Sequence, residues 1–195
     1  MKIRSQVFTG VLVALLWVGV YSSVAQKKGS MPAADILAAL KLGQWVVLEG
    51  PVQRDLSVQC TKLKLLTGDL LDDDWKIIGT IRKVDKQKQA IEILRLPIKV
   101  PPEVEFKDVD GKLKSFADVK FNMFVQAEGT YLKDGTLLAK QIKNEAAKLV
   151  VKPHLKDEIE ARGKVEKIDP TNRTITLMGI TFQLTDGTQG MSAIR

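Results

Sequence analysis

The stretch 124–145, FVQAEGTYLKDGTLLAKQIKNE, repeats in outline the stretch 45–66, WVVLEGPVQRDLSVQCTKLKLL. Each reads as two short strands joined by a turn that carries an aspartate, Asp134 or Asp55. The match extends backwards. Shifting residues 36–66 by 79 positions lays them without a gap on 115–145, pairing Val46 with Val125, Glu49 with Glu128, Gly50 with Gly129 and Lys64 with Lys143. The two glycines fall where a strand has to bend sharply. Ahead of the strands, Asp35 and Ser115 are expected to cap short helices over ILAALKL and FADVKF, the second at 114–120. The corresponding pairs Trp45 and Phe124, and Leu42 and Phe121, are expected in the core.

A second internal match pairs 77–100, IIGTIRKVDKQKQAIEILRLPIKV, with 161–184, ARGKVEKIDPTNRTITLMGITFQL, at a shift of 84. It aligns Gly79 with Gly163, Lys83 with Lys167, Asp85 with Asp169 and Ile91 with Ile175. With the first module as a back half and the second as a front half, the chain runs back, front, back, front. Only 75–145 holds a complete unit in sequence order: strands at 75–85, 89–95 and 97–106, the helix 114–120, then strands at 122–132 and 136–143. A helix between the third and fourth of five strands is the order of an OB-type Greek-key barrel. The expected fold class is therefore all-β, two OB-like Greek-key barrels with short helices, the second built from the N- and C-terminal segments and so circularly permuted.

The front half at 158–195 needs a cover. Alone it would expose Val165, Ile168, Ile175, Leu177, Ile180, Phe182 and Leu184, and four or five such side chains left wet forfeit roughly 6–15 kcal/mol. The back half at 33–66 is the expected cover, with 67–74 an acidic linker and 146–157 a second linker. At about 3.3 Å per residue the two connections reach about 26 and 43 Å, enough to pass between adjacent small barrels. A monomer is expected; donation of a back half to a neighbouring chain is the alternative.

Residues 1–25 combine a basic start (Lys2, Arg4), an apolar run from Val7 to Val20, and small residues Ser23 and Ala25 before the break. That is the pattern of a secretory signal cut after Ala25, and the chain is expected in the periplasm or outside the cell. The 18 residues from Val7 to Val24 are also long enough for an uncleaved membrane anchor, which takes about 17–25. The whole chain carries a net charge of +7, and loss of the signal leaves 28 basic against 23 acidic residues. This mild excess suits attraction to anionic surfaces, whereas nucleic acid is not an expected partner of an exported protein.

The motifs GTIRKVDKQKQAIEI and FVQAEGTYLKDGTLLAKQIK resemble exported bacterial OB-like barrel repeats of an uncharacterised family, over about residues 36–184. VQAEGTYLKDGTLLAKQI is also similar to the closing strands of the periplasmic haem chaperone of cytochrome c maturation. There a histidine shortly after the last strand carries haem; the corresponding place here is Ala146 with no histidine beside it, so covalent haem attachment is not expected. That resemblance implies, as an alternative function, a carrier or maturation factor for a cofactor.

Residues able to do chemistry are sparse. His154 is the only histidine and Cys60 the only cysteine, so no internal disulfide can form and no second imidazole or nearby thiolate is at hand to complete a metal site. Cys60 aligns with Ala139, which marks it as a small buried strand residue. GDLLDDDW at 68–75 clusters Asp69, Asp72, Asp73 and Asp74 but lacks the alternating spacing of a calcium loop. Glu49 and Glu128, equivalent beside their glycines, suit a shared structural task. No catalytic, cofactor-binding or metal-binding residue is expected, and the protein is read as a non-enzymatic binding or scaffold module. OB barrels take ligands between their 1-2 and 4-5 loops, where this chain places Lys86, Lys88 and Lys133 in one unit and Arg54 and Arg173 in the other. This basic rim is the candidate dock for an envelope protein, a peptide or an anionic polymer, without an aromatic ladder for stacking bases.

Overall fold

The computed structural model describes residues 32–108 and 111–194. The signal segment read at 1–25 lies outside the described residues. In chain order the elements are α1 (Ala33–Ala39), β1 (Trp45–Pro51), β2 (Val58–Leu66), β3 (Trp75–Asp85), β4 (Ala90–Ile93), β5 (Leu96–Lys99), β6 (Glu105–Lys107), β7 (Phe124–Tyr131) and β8 (Leu137–Asn144). They continue with α2 (Ala146–Val151), β9 (Glu158–Lys164), β10 (Lys167–Asp169), β11 (Thr174–Leu177) and β12 (Ile180–Ile194), with 3-10 turns at Phe116–Asp118 and Pro153–Asp157.

Antiparallel pairs β3–β4, β4–β5, β7–β8 and β3–β7, with the parallel pair β5–β8, close a five-stranded barrel A. The same ring recurs in permuted order. β9 and its continuation β10 pair with β1 and β11, β11 pairs with β12, β12 lies parallel to β2, and β2 returns to β1. This is barrel B, made of both terminal portions. The registers repeat as far as Gly190: Ile98 faces Leu137 as Phe182 faces Val58, and Glu105 faces Gln141 as Gln189 faces Lys62. Residues 32 and 194 are the equivalents of 111 and 110, so the two terminal portions meet at the position of one loop of barrel A. There the backbone N–H of Ala33 donates to the Asp186 carboxylate at 3.3 Å, and Ile36 packs over Gly190.

The inward residues of both barrels form one continuous core, in which Val46 and Val125, Cys60 and Ala139, Leu63 and Ile142, Ile91 and Ile175, and Ile98 and Phe182 occupy equivalent buried places. The barrels are joined where β3 and β9, the first strand of each, pair antiparallel through Lys76–Arg162, Ile77–Ala161 and Ile78–Glu160. Ile77 and Ala161 are themselves equivalents, so the pairing has local two-fold character. Each first strand thereby covers an edge of the other, a row of backbone groups that would otherwise stand open. The close approach depends on glycine. A Cβ on Gly163 would run into the Trp75 ring, and one on its equivalent Gly79 into Ile159, the equivalent of Trp75. Gly50 and Gly129 serve a different approach, since a Cβ there would collide with the Gln59 and Leu138 carbonyls of the neighbouring strand.

Several expectations need correction. The helix expected at 114–120 is only the 3-10 turn Phe116–Asp118. The strand expected at 97–106 is split into β5 and β6 around Pro101 and Pro102, which lack the N–H a ladder requires. Residues 146–157, read as a linker, carry α2 and a 3-10 turn. Asp35 sits inside the first turn of α1, whose cap position is Pro32. Leu42 and Phe121 are exposed, at 67% and 65%. The inward places go to Leu40 and Val119, and the chain then turns through left-handed Gly43 and Asn122, leaving the side chain before each outside.

Candidate binding groove

The five rim cations do not form one site. Lys86 is spent on structure: its Nζ donates to the carbonyl oxygens of Phe116, Ala117 and Val119 at 3.3, 3.0 and 3.2 Å and stands 5.4 Å from the centre of the Phe116 ring. It adds a charged donor to the carbonyls at the end of the 3-10 turn, where the Phe116 oxygen also accepts from the Val119 N–H. Arg173 is paired with Asp186 at 3.7 Å. Lys88, Lys133 and Arg54 are exposed, and no ion pair or side-chain hydrogen bond holds them among the described residues. Lys88 belongs to the turn after β3, in which the Asp85 carboxylate accepts from the backbone N–H groups of Gln87 and Lys88. Lys133 and Arg54 occupy equivalent places in the 4-5 turns, which Asp134 and Asp55 brace by accepting from the N–H of Thr136 and Ser57. Hydrogen bonds from the Ser57 hydroxyl and backbone hold the Asp55 carboxyl below its usual range.

Of the three, Arg54 borders a wide groove. The 4-5 turn of barrel B and the parallel pair β2–β12 border a shallow, open groove of about 660 Å³, lined by Arg54, Asp55, Ser57, Gln59, Gln183 and Thr185 among others. Gln59 and Gln183 face each other in register across the two strands. Gln183 also donates to the Asn172 carbonyl at 2.8 Å, beside the Arg173–Asp186 pair. Barrel A has Leu138 and Lys99 in place of the two glutamines and Pro101 in place of Thr185, so this wall of neutral donors and acceptors belongs to barrel B.

The acidic linker is not simply solvated. Asp72 pairs with Lys164 at 2.8 Å, Asp73 with Lys140 at 2.9 Å, and the Arg162 Nε donates to the Asp74 carbonyl at 2.7 Å. It thus ties β8 of barrel A to β9 of barrel B. The hydrogen bond from Lys140 lowers the Asp73 pKa and raises that of Lys140. Glu128 lies within 3.6 Å of Lys140 and 3.5 Å of Arg162, while its equivalent Glu49 pairs with Lys62 and Lys64. Both glutamates are occupied in ion pairs. Three aromatic rings gather at the junction: Trp75 stands between Trp45 and Tyr131, with tilted rings whose centres are 5.2 and 5.1 Å away. It braces the junction, since Trp75 itself is buried over Gly163.

Among the described residues, groups suited to catalysis are few. Burial pushes the Cys60 thiol up to about 12, leaving it protonated and unreactive at neutral pH. His154 is exposed, 4.0 Å from Glu158, and Ala146 opens α2. Among the described residues no three of His, Cys, Asp and Glu are grouped to hold a metal ion, and no helix is long and apolar enough to cross a membrane.

Comparison with protein families places these barrels. The profile of the domain of unknown function DUF5666 matches residues 78–143 and 162–193, together half of the chain. The chain belongs to the DUF5666 family. The first DUF5666 segment runs from β3 to β8 of barrel A, and the second covers only β9 to β12. The second match is a half-unit because its complement, 32–66, lies at the other end of the sequence. No curated protein matches the chain, and no solved structure matches it.

Proposed function

We propose that this DUF5666 protein is an exported, non-enzymatic binding module that takes an anionic polymer of the cell envelope in the groove beside Arg54. The observation that carries this reading is an exposed guanidinium, held by no ion pair among the described residues, at the edge of an open polar groove, next to the 4-5 turn by which OB barrels take extended ligands. The basic excess left after loss of the signal, 28 basic against 23 acidic residues, and the exposed cations Lys88 and Lys133, which no ion pair holds among the described residues, add long-range attraction of the same sign. Retention on columns of carboxylated or sulfated polymer tests it. The protein should bind at about 0.1 M salt and be released toward 1 M, as the screening length falls from about 10 to 3 Å. Arg54→Ala should weaken retention. Equal retention by the variant, or retention indifferent to salt, would refute the reading.

A further inference from the structure

The groove beside Arg54 does not stop at barrel B. Asp55 and Ser57, which line it, also line a second cavity of about 260 Å³ together with Leu94, Arg95 and Thr181. Leu94 and Arg95 in turn line a third, of about 160 Å³, with Tyr131, Gly135 and Met178. The three form one trough. It starts at the 4-5 turn of barrel B, crosses the two hairpin turns that meet at the junction, and finishes at the 4-5 turn of barrel A.

Those hairpin turns are equivalent but unequal. Leu94–Arg95 joins β4 to β5 and Met178–Gly179 joins β11 to β12, each in two residues, with φ of 44°, 64°, 51° and 68°. Such a turn calls for positive φ at both central places and favours glycine. Barrel B supplies Gly179; barrel A keeps an arginine in backbone space that side chains disfavour. Leu94 is buried, and so has a reason in the core. Arg95 is exposed, and no hydrogen bond or ion pair holds its guanidinium among the described residues; its charge helps, as a minor cause, to lower the pKa of Asp55 across the trough. The fold does not need it, because Gly179 makes the same turn. A strained residue retained on a cavity wall, with its functional group unspent, points to a ligand.

The lining specifies the ligand's chemistry. Arg54 and Arg95 are planar forks suited to carboxylates. Gln53, Gln59, Gln183, Ser57 and Thr181 present groups that both donate and accept, as sugar hydroxyls do. Tyr131 adds a half-buried ring at the far end. A peptide adding as a strand would need unpaired backbone, yet β2 and β12 are paired with each other along the groove. Resting on the reading that the groove beside Arg54 is the docking surface, we infer that the whole trough binds an acidic polysaccharide, with Arg95 as a ligand-contacting residue for its uronate carboxylates.

The test is calorimetric titration of the full chain with oligogalacturonate, with dextran oligomers and poly-glutamate as comparators. Oligogalacturonate should bind, dextran should not, and poly-glutamate should bind more weakly. Arg95→Gly, which copies the sister turn, should weaken oligogalacturonate binding about tenfold or more without lowering the urea midpoint. Binding indifferent to Arg95→Gly but weakened by Arg54→Ala would overturn this inference and leave the proposed function standing. Poly-glutamate bound as tightly would assign the trough to acidic peptides and overturn the polysaccharide. Failure of every anionic polymer to bind would overturn both.

Discussion

Gly163 shows how one missing side chain shapes this protein. Trp75 covers it, and Trp75 in turn supports Trp45 and Tyr131, so the close contact between the barrels depends on a hydrogen standing where other residues carry a methyl group. Gly163→Ala should therefore force the Trp75 ring aside at a cost of about 1–3 kcal/mol, read as a fall in urea midpoint with a change in tryptophan fluorescence. A variant as stable as the parent, with unaltered fluorescence, would show that the ring has room to move. Cys60 teaches the complementary lesson. Its equivalence to Ala139 marked it as a small inward residue, and it is fully buried with its thiol held protonated.

At the scale of elements, the strands were largely legible and the segments between them were not. Alternating apolar residues and aspartate turns located β1, β2, β7 and β8 because period-two burial leaves a direct imprint on sequence. Pro101 and Pro102 broke the third strand of barrel A, as their missing N–H groups dictate, and the helix expected after Ser115 shrank to one 3-10 turn. That turn is held from both ends. The Asp118 carboxylate accepts from the N–H groups of Lys114 and Ser115, which lowers its pKa, and Lys86 covers its carbonyls. Sequence placed Lys86 on a loop tip but could not show what lies above that tip, so a structural lysine was grouped with the rim. Lys86→Ala should lower stability by about 1 kcal/mol and leave polymer retention unchanged; a variant with intact stability and lost retention would restore Lys86 to the binding surface. Arg95 was missed for a related reason. Its signal, an arginine aligned with Gly179, carries meaning only once both turns are known to have positive φ and to line one cavity.

For the whole molecule, the repeat alignment carried more than any single motif. Two gapless shifts, 79 and 84, ordered the chain as back, front, back, front, and the strand registers follow both shifts until β12 slips by one residue against β2 after Gly190. What sequence could not show is that the barrels would share β3–β9 pairing and one core, or that the acidic stretch 67–74 would bridge them through Asp72 and Asp73. The central claim is that the two terminal portions form barrel B with each other, while 75–145 closes on its own. Hydrogen exchange on a chain lacking residues 32–66 tests this most directly. The account predicts that amides of β3 to β8, apart from those of β3 that face β9, keep their protection while those of β9 to β12 exchange at unprotected rates; native protection retained across 158–184 in that chain would contradict it.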